Sequence, residues 1–115
     1  MSNTSAHTKS KGHRQIEKHL KGLGYEVTSE FSIENKSYDI FIEELNLLIE
    51  YNGTRWHYDP REYDATHYDD VKHRFAFQKW LKDLQKVDLA KTSGYNIEVV
   101  WEYDWKNTRR VKRPR

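Results

Sequence analysis

Residues 38–53, "YDIFIEELNLLIEYNG", constrain the fold of this chain more than any other stretch. Two apolar runs, rich in β-branched and aromatic residues, flank the short polar segment 43–46, which is the pattern of a β-hairpin. The register is expected to run outward from that loop. The predicted pairs are Ile42 with Leu47, Phe41 with Leu48, Ile40 with Ile49 and Asp39 with Glu50.

The two acids at the open end of this hairpin need an explanation. Directly opposed residues lie about 4.5–5.5 Å apart, and two like charges at that distance destabilise the pair. A divalent cation would compensate, because Mg²⁺ typically takes one or two protein carboxylates and fills its shell with water and phosphate oxygens. The alternative is a pair of solvated acids at the strand ends.

Polar residues just beyond the hairpin strengthen the metal-site interpretation. Asn52 lies two residues after Glu50 and so is expected on the same face of the strand. His57 follows in the segment "NGTRWH". A histidine beside a pair of metal-binding acids can act as a general base toward water or as a general acid toward a leaving oxygen.

The remaining chain reads as alternating helices and strands. A helix is expected from the possible N-cap Ser10 to the stop at Gly24. Strands are expected over 25–33 and 95–105, with a polar and aromatic loop over 53–66 between the hairpin and the next helix. That second helix is predicted from about Tyr68 to Thr92, and its predicted apolar face is Val71, Phe75, Leu81, Leu84, Val87 and Leu89.

Length and composition are typical of one small folded domain. The 115 residues suit a single unit, predicted as residues 10–105, with a disordered segment 1–9 and a basic tail 106–115. No cysteine is present, which excludes disulfides and fits a reducing cytoplasm. No apolar run reaches a membrane span and no signal-peptide pattern opens the chain, so no membrane partner is expected.

Basic residues concentrate at the two ends of the chain. The tail "KNTRRVKRPR" has six basic residues and no acid, and the opening "HTKSKGHR" is also basic. Basic ends around an acidic centre suit a protein that holds a phosphate backbone while placing carboxylates on it. A tail that only improves solubility is the alternative.

The segment "YDIFIEELNLLIEYNGTRWH" resembles the core of the PD-(D/E)xK nuclease superfamily. More narrowly, it is similar to the EDxHD branch, which contains the very short patch repair endonucleases and the phage homing endonucleases. The resemblance covers roughly residues 10–105. It implies a restriction-endonuclease-like core, a mixed central β-sheet flanked by helices. It also implies a Mg²⁺-dependent endonuclease, with Mn²⁺ able to substitute, that cuts double-stranded DNA to leave a 5′-phosphate and a 3′-hydroxyl.

The resemblance assigns roles position by position. Asp39 and Glu50 match the metal-binding acids, and His57 matches the histidine that transfers protons in this branch. Asp83, in "DLQKVDLAKTSGY", matches the last acid of the family. Asn52 stands where the wider superfamily has lysine, so a lysine-assisted mechanism is open to question.

The first helix departs from the family pattern. His13 stands where the family has glutamate, so either His13 takes that role, or Glu17 takes it from one turn later, or the site is weakened. The structural zinc of the mismatch-repair relatives is expected to be absent, because the chain has no cysteine.

Basic and aromatic residues around the predicted site are expected to contact DNA. An aromatic side chain interleaved with cations suits insertion into a duplex or stacking on bases, although Trp56 could equally pack over the sheet. The predicted DNA-binding residues are Arg55, Trp56, Arg61, Lys11, Arg14, Arg109, Arg110, Lys112 and Arg113.

Three functions remain compatible with the sequence. The first is a nicking, homing or restriction-type endonuclease, which would act in the host cytoplasm if it is phage-encoded. The second is a structure-specific repair or junction-resolving nuclease. The third is a DNA-binding accessory protein with a degenerate site. A chain this short has little surface for reading bases, so a homodimer or a separate recognition partner is expected to supply specificity.

Overall fold

The structure is a computed structural model, and it describes residues 9–108. The elements in chain order are α1 (Lys11–Gly22), β1 (Thr28–Ile33), β2 (Lys36–Ile42), β3 (Leu47–Asn52), α2 (Thr54–His57), β4 (Tyr68–Asp69), β5 (Arg74–Phe75), α3 (Ala76–Thr92), β6 (Asn96–Trp101) and α4 (Glu102–Thr108). Across the described range, none of these helices is long and apolar enough to cross a membrane. The expectations for residues 1–8 and 109–115 lie outside the described residues.

Four strands form the central sheet in the order β1-β2-β3-β6. The first three pair antiparallel, and β6 runs parallel to β3. A parallel neighbour requires a long crossover connection, and the chain between β3 and β6 supplies it through α2 and α3. The mixed sheet flanked by helices confirms the predicted α/β class.

The predicted hairpin register is confirmed at its three apolar pairs. Ile42 opposes Leu47, and the next two pairs follow in step. The connection is a 3₁₀ turn, Glu43–Leu45, closed by Asn46 in the left-handed conformation at φ 49°. Asparagine tolerates that conformation better than most residues, so the loop fixes which side chains face each other.

Two apolar clusters sandwich the sheet. One joins Ile16 and Leu20 of α1 and Trp105 of α4 to the strands. The other joins Ala90 of α3 to Tyr38 and its neighbours. The functional strands β2 and β3 therefore lie between helical layers on both faces, and their ends are reached from α1 on one side and from α3 on the other.

Helix α1 has the limits that its sequence predicts. The hydroxyl of Ser10 accepts a hydrogen bond from the His13 backbone N–H, an N-cap that satisfies one of the free donors of the first turn. Gly24 lies just past the end with φ 98°, which a side chain would disfavour. Inside the helix, a Cβ on Gly12 would lie 2.2 Å from Cζ of Tyr51, so α1 sits against β3 more closely than any side chain permits.

The prediction that a long helix begins near Tyr68 is wrong, because α3 begins at Ala76. The residues before it form a small hairpin in which Tyr68 pairs with Phe75. The carboxylate of Asp69 accepts from the backbone N–H groups of Val71 and Lys72, a local bond that competes with helix formation. His73 is left-handed at φ 56°, which an α-helix does not accommodate.

The predicted apolar face of that helix is also wrong in part. Val71 is 82% exposed, and Phe75, Leu81 and Leu84 are exposed as well. The face of α3 that packs on the sheet instead contains the buried Ala90, and the face with Leu81 and Leu84 is turned toward solvent.

The final strand is shorter than predicted. Strand β6 ends at Trp101, and the segment from Glu102 through Thr108 is helical. Glu102 and Asp104 lie in the first turn of α4, where acidic side chains interact favourably with the helix dipole. The carboxylate of Glu102 also pairs with the ammonium of Lys106, one turn later, at 2.7 Å. These local interactions favour a helix over a continued strand.

Candidate active site

At the open end of the hairpin, the carboxylates of Asp39 and Glu50 accept hydrogen bonds from backbone N–H groups of the opposite strand. The backbone N–H of Asp39 donates to Oε1 of Glu50 at 2.8 Å. The backbone N–H of Tyr51 donates to Oδ2 of Asp39, also at 2.8 Å. Each carboxylate therefore satisfies a backbone donor of the opposite strand, which a buried N–H requires. The prediction that Asp39 and Glu50 lie side by side agrees with these contacts.

Glu50 is buried, and its second oxygen binds a cation from α3. Lys86 Nζ lies 2.6 Å from Glu50 Oε2. Burial and the neighbouring Asp39 raise the pKa of Glu50, while Lys86 and the bond from the Asp39 N–H lower it, and the net result is a pKa of about 7. In the sequence, Lys86 matches the basic residue of the Asp-x-x-Arg/Lys spacing that begins at Asp83. Its contact with Glu50 was not predicted.

Asp39 is linked to the first helix through His13. Nδ1 of His13 lies 4.0 Å from Asp39 Oδ1, and Nε2 lies 3.0 Å from Glu17 Oε2. Both α1 side chains are buried, and their four-residue spacing puts them on one face of the helix. The order along this chain of contacts is Asp39, His13, Glu17, so His13 is the nearer of the two to the paired acids.

Glu17 is held from several sides. Lys9 Nζ lies 2.8 Å from Glu17 Oε1, and the Ser29 hydroxyl donates to Oε2. Burial acts to raise the pKa of Glu17, but the hydrogen bonds from Lys9 and Ser29 and the nearby His13 outweigh it, so the pKa is lowered. Neither Lys9 nor Ser29 was predicted, because no local pattern links the N-terminal segment or β1 to α1.

The predicted histidine pairs with the predicted helical acid. His57 Nδ1 lies 2.8 Å from Asp83 Oδ2, and Lys79 Nζ lies 2.9 Å from the other oxygen of Asp83. Burial would raise the pKa of Asp83, yet the bonds from His57 and Lys79 prevail and the pKa is lowered. An ionised carboxylate on Nδ1 fixes the ring and leaves Nε2 as the free nitrogen.

The short helix α2 that carries His57 is anchored at both ends. Glu102 accepts from the Thr54 backbone N–H at 2.9 Å. At the other end, the indole N–H of Trp80 donates to the carbonyls of His57 and Tyr58 at 3.1 and 2.8 Å. The predicted loop over 53–66 therefore contains a fixed helical turn, which gives His57 a defined position.

Helix α3 joins the two halves of the site. Asp83 and Lys86 are three residues apart, a spacing that puts their Cβ atoms about 5–6 Å apart on one helical face. The His57–Asp83 pair and the Glu50–Lys86 pair are therefore neighbours.

Asn52 is the last residue of β3. It is buried, and it pairs with Trp101 of β6.

The paired acids Asp39 and Glu50 suit Mg²⁺ better than a metal ion that requires many protein ligands. Within residues 9–108, no group of three or more His, Asp or Glu side chains is placed to hold a metal ion. Mg²⁺ does not need such a group, because it retains several waters and takes only one or two carboxylates. The oxygen chemistry of Asp39 and Glu50 fits that requirement.

The predicted DNA-binding residues differ in their surroundings. Lys11, Arg14 and Arg55 are exposed. Trp56 is 53% exposed, and Lys72 Nζ lies 3.9 Å from its ring centre. Arg61 is instead bound within the protein, as described next. Arg109, Arg110, Lys112 and Arg113 lie outside the described residues.

Arg61 forms a bridge between the loop and α4. Its guanidinium contacts the buried Asp59 at 2.9 Å and Asp104 at 3.0 Å, and its Cζ lies 4.6 Å from the ring centre of Tyr103. The hydrogen bonds to Asp59 and then to Asp104 raise the pKa of Arg61 above its ordinary value. These contacts give Arg61 a structural place that the sequence did not predict.

Comparison with known proteins identifies the fold. No protein-family model and no curated protein matches the sequence. Among solved structures, the chain is similar to the catalytic domain of the homing endonuclease I-Bth0305I, with a TM-score of 0.57 and 16% sequence identity. The match covers 88% of this chain and 85% of that domain. The chain therefore has a nuclease-like fold.

Proposed function

We propose that this protein is a metal-dependent DNA endonuclease of the EDxHD branch that hydrolyses phosphodiester bonds. The observation that carries the proposal is the placement of Asp39 and Glu50 at the open end of the hairpin, beside a histidine–aspartate pair. The fold shared with a homing endonuclease catalytic domain supports it. The substrate in this proposal is double-stranded DNA.

Asp39 and Glu50 would hold Mg²⁺, or Mn²⁺ in its place. When bound, such an ion supplies Lewis-acid activation of the scissile phosphate and of the attacking water. The protein contributes rigidity, because each carboxylate already holds a backbone N–H of the opposite strand. Their positions are therefore set before substrate arrives, which is the condition for effective electrostatic catalysis.

His57 would transfer the proton. With Nδ1 held by Asp83, its Nε2 is free to take a proton from water or to give one to the leaving oxygen. Asp83 acts as the positioning residue, since its ionised carboxylate selects the tautomer of His57. In this arrangement His57 is the base, and Asp83 is the additional group that orients it.

His13, rather than Glu17, would occupy the position of the family glutamate. His13 faces Asp39, whereas Glu17 lies behind it and is bound by Lys9 and Ser29. Glu17 then orients the His13 ring, in the same way that Asp83 orients His57. Asn52 leaves no lysine on β3 for the reaction.

A DNA-binding protein with a degenerate site is the second candidate. It is favoured by the 2.6 Å contact in which Lys86 occupies an oxygen of Glu50, together with His13 in place of glutamate. Such a protein would bind DNA through its exposed cations without cleaving it. Retention of the His57–Asp83 pair argues against this candidate.

Incubation of supercoiled plasmid with the purified protein and Mg²⁺ or Mn²⁺ tests the proposal. The nuclease function predicts nicked or linear product that is lost in Asp39→Asn and His57→Ala. The exposed control Glu26→Gln should cleave as wild type does. Salt-sensitive gel shifts without cleavage in any metal would instead select the accessory protein. A cruciform substrate beside plain duplex separates the structure-specific alternative.

A further inference from the structure

Tyr38 contacts both the backbone and the ammonium of Lys86. Its backbone carbonyl accepts the Tyr38 hydroxyl at 2.7 Å, and its Nζ lies 5.0 Å from the Tyr38 ring centre. The side chain of Lys86 is 26% exposed, so it is not enclosed by the protein. A lysine on a flexible four-carbon stem can swing its ammonium between two positions while its backbone stays fixed.

Lys86 forms an ion pair with Glu50, and Glu50 would have to give up this ion pair in order to bind a metal ion with the same oxygen. Asp39 and Glu50 together bring two negative charges to the end of the hairpin, and such a pair needs a nearby cation to remain ionised together. In this structure the ammonium of Lys86 lies 2.6 Å from Oε2 of Glu50. The other oxygen of Glu50 is already bound to the Asp39 N–H.

We infer that Lys86 is a built-in cation that occupies the Glu50 carboxylate in the metal-free protein and releases it when a divalent ion binds. The inference rests on the proposed function, because it takes Asp39 and Glu50 as the ligands. Lys86 is then a positioning residue that sets metal affinity. It keeps the acids paired without metal, and it makes the ion compete for Glu50.

Calorimetric titration of Mn²⁺ into the full chain, without DNA, tests the inference. Lys86→Gln removes the competing cation, so Mn²⁺ is expected to bind about fivefold or more tightly, the usual size of a coupling between two ligands. Lys86→Arg keeps the charge and should bind with affinity close to wild type. Lys82→Gln, on the exposed side of the same helix, is the matched charge control and should bind as wild type does.

Lysine acetylation of the wild-type protein gives a second readout that does not depend on a variant folding. Mass spectrometry should show that saturating Mg²⁺ increases the acetylation rate of Lys86, while the rate at Lys82 stays the same. Unchanged reactivity of Lys86 in a protein that does bind the ion would overturn the release step.

The failures are distinguishable. Equal or weaker Mn²⁺ binding by Lys86→Gln, in a protein whose wild type binds Mn²⁺ and cleaves plasmid, overturns the inference and leaves the nuclease function standing. Absence of Mn²⁺ binding in wild type and in every variant overturns both the inference and the proposed metal dependence.

Discussion

The imidazole of His57 and the carboxylate of Asp83 are joined at 2.8 Å across the gap between α2 and α3. The residues lie 26 positions apart in the chain, and Trp80, one turn before Asp83, also binds the carbonyl end of α2. The same helix therefore positions the histidine twice, once through its backbone and once through its ring.

Loss of either member of this pair should reduce cleavage without unfolding the protein. We expect His57→Ala to lower the cleavage rate by about 10²- to 10⁴-fold, the usual contribution of a general acid or base. Asp83→Asn should lower it less, because Nε2 remains present but the ring loses its orienting anion. Single-turnover cleavage measures the rates, and an unchanged thermal midpoint would exclude unfolding. Full activity in His57→Ala would contradict the assigned role.

Glu50 predicts an unusual pH dependence of stability. Its pKa of about 7 in the folded protein is above the ordinary 4.5, so between these values the folded state binds more protons than the unfolded chain. Its contribution to stability is therefore present below about pH 4.5 and falls as pH rises toward 7, by on the order of 3 kcal/mol at most. Urea unfolding at several pH values, compared between wild type and Glu50→Gln, isolates this term. If the difference in unfolding free energy between the two proteins does not change between pH 4.5 and 7, the contribution of Glu50 is ruled out.

The two arginines Arg55 and Arg61 should behave oppositely. Arg61→Ala removes the guanidinium from the buried Asp59 and leaves it the backbone N–H of residue 61, so we expect a loss of about 1–3 kcal/mol in stability. Arg55→Ala should change stability by less than about 0.5 kcal/mol, but it should weaken DNA binding and reduce the salt slope by about 1. Chemical denaturation and gel shifts across a salt series measure the two effects. Equal DNA-binding defects would contradict the structural assignment of Arg61.

Two glycines of α1 form a matched pair for testing how closely this helix packs. Gly12→Ala would place a Cβ 2.2 Å from the Tyr51 ring, and such overpacking costs about 1–3 kcal/mol. Gly22→Ala meets nothing within 4 Å and should stabilise by up to about 1 kcal/mol through helix propensity. Thermal unfolding of both variants gives the comparison, and a stabilised Gly12→Ala would show that α1 can shift outward freely.

The sequence predicted the hairpin and its register because two short apolar runs joined by a short polar loop leave few alternatives. It could not predict the start of α3, since Val71 and Phe75 have helical spacing, and the features that break the helix are the Asp69 turn and the left-handed His73. The acids, His57 and Asp83 were proposed as site residues from local motifs and the family resemblance, and the structure brings them into paired contacts. The contact of Lys86 with Glu50 was not predicted, because the two residues lie 36 positions apart in the chain. The contacts of Arg61 with Asp59 and Asp104 were not predicted either.

The exchange of backbone donors at the open end of the hairpin has a practical consequence. The amide protons of Asp39 and Tyr51 each point at the carboxylate of an acid on the neighbouring strand. Their chemical shifts in an ¹⁵N-correlated NMR spectrum should follow any change at those carboxylates, whether protonation or cation loading. The fold thus carries two native spectroscopic probes, one for each acid, which need no label on a side chain.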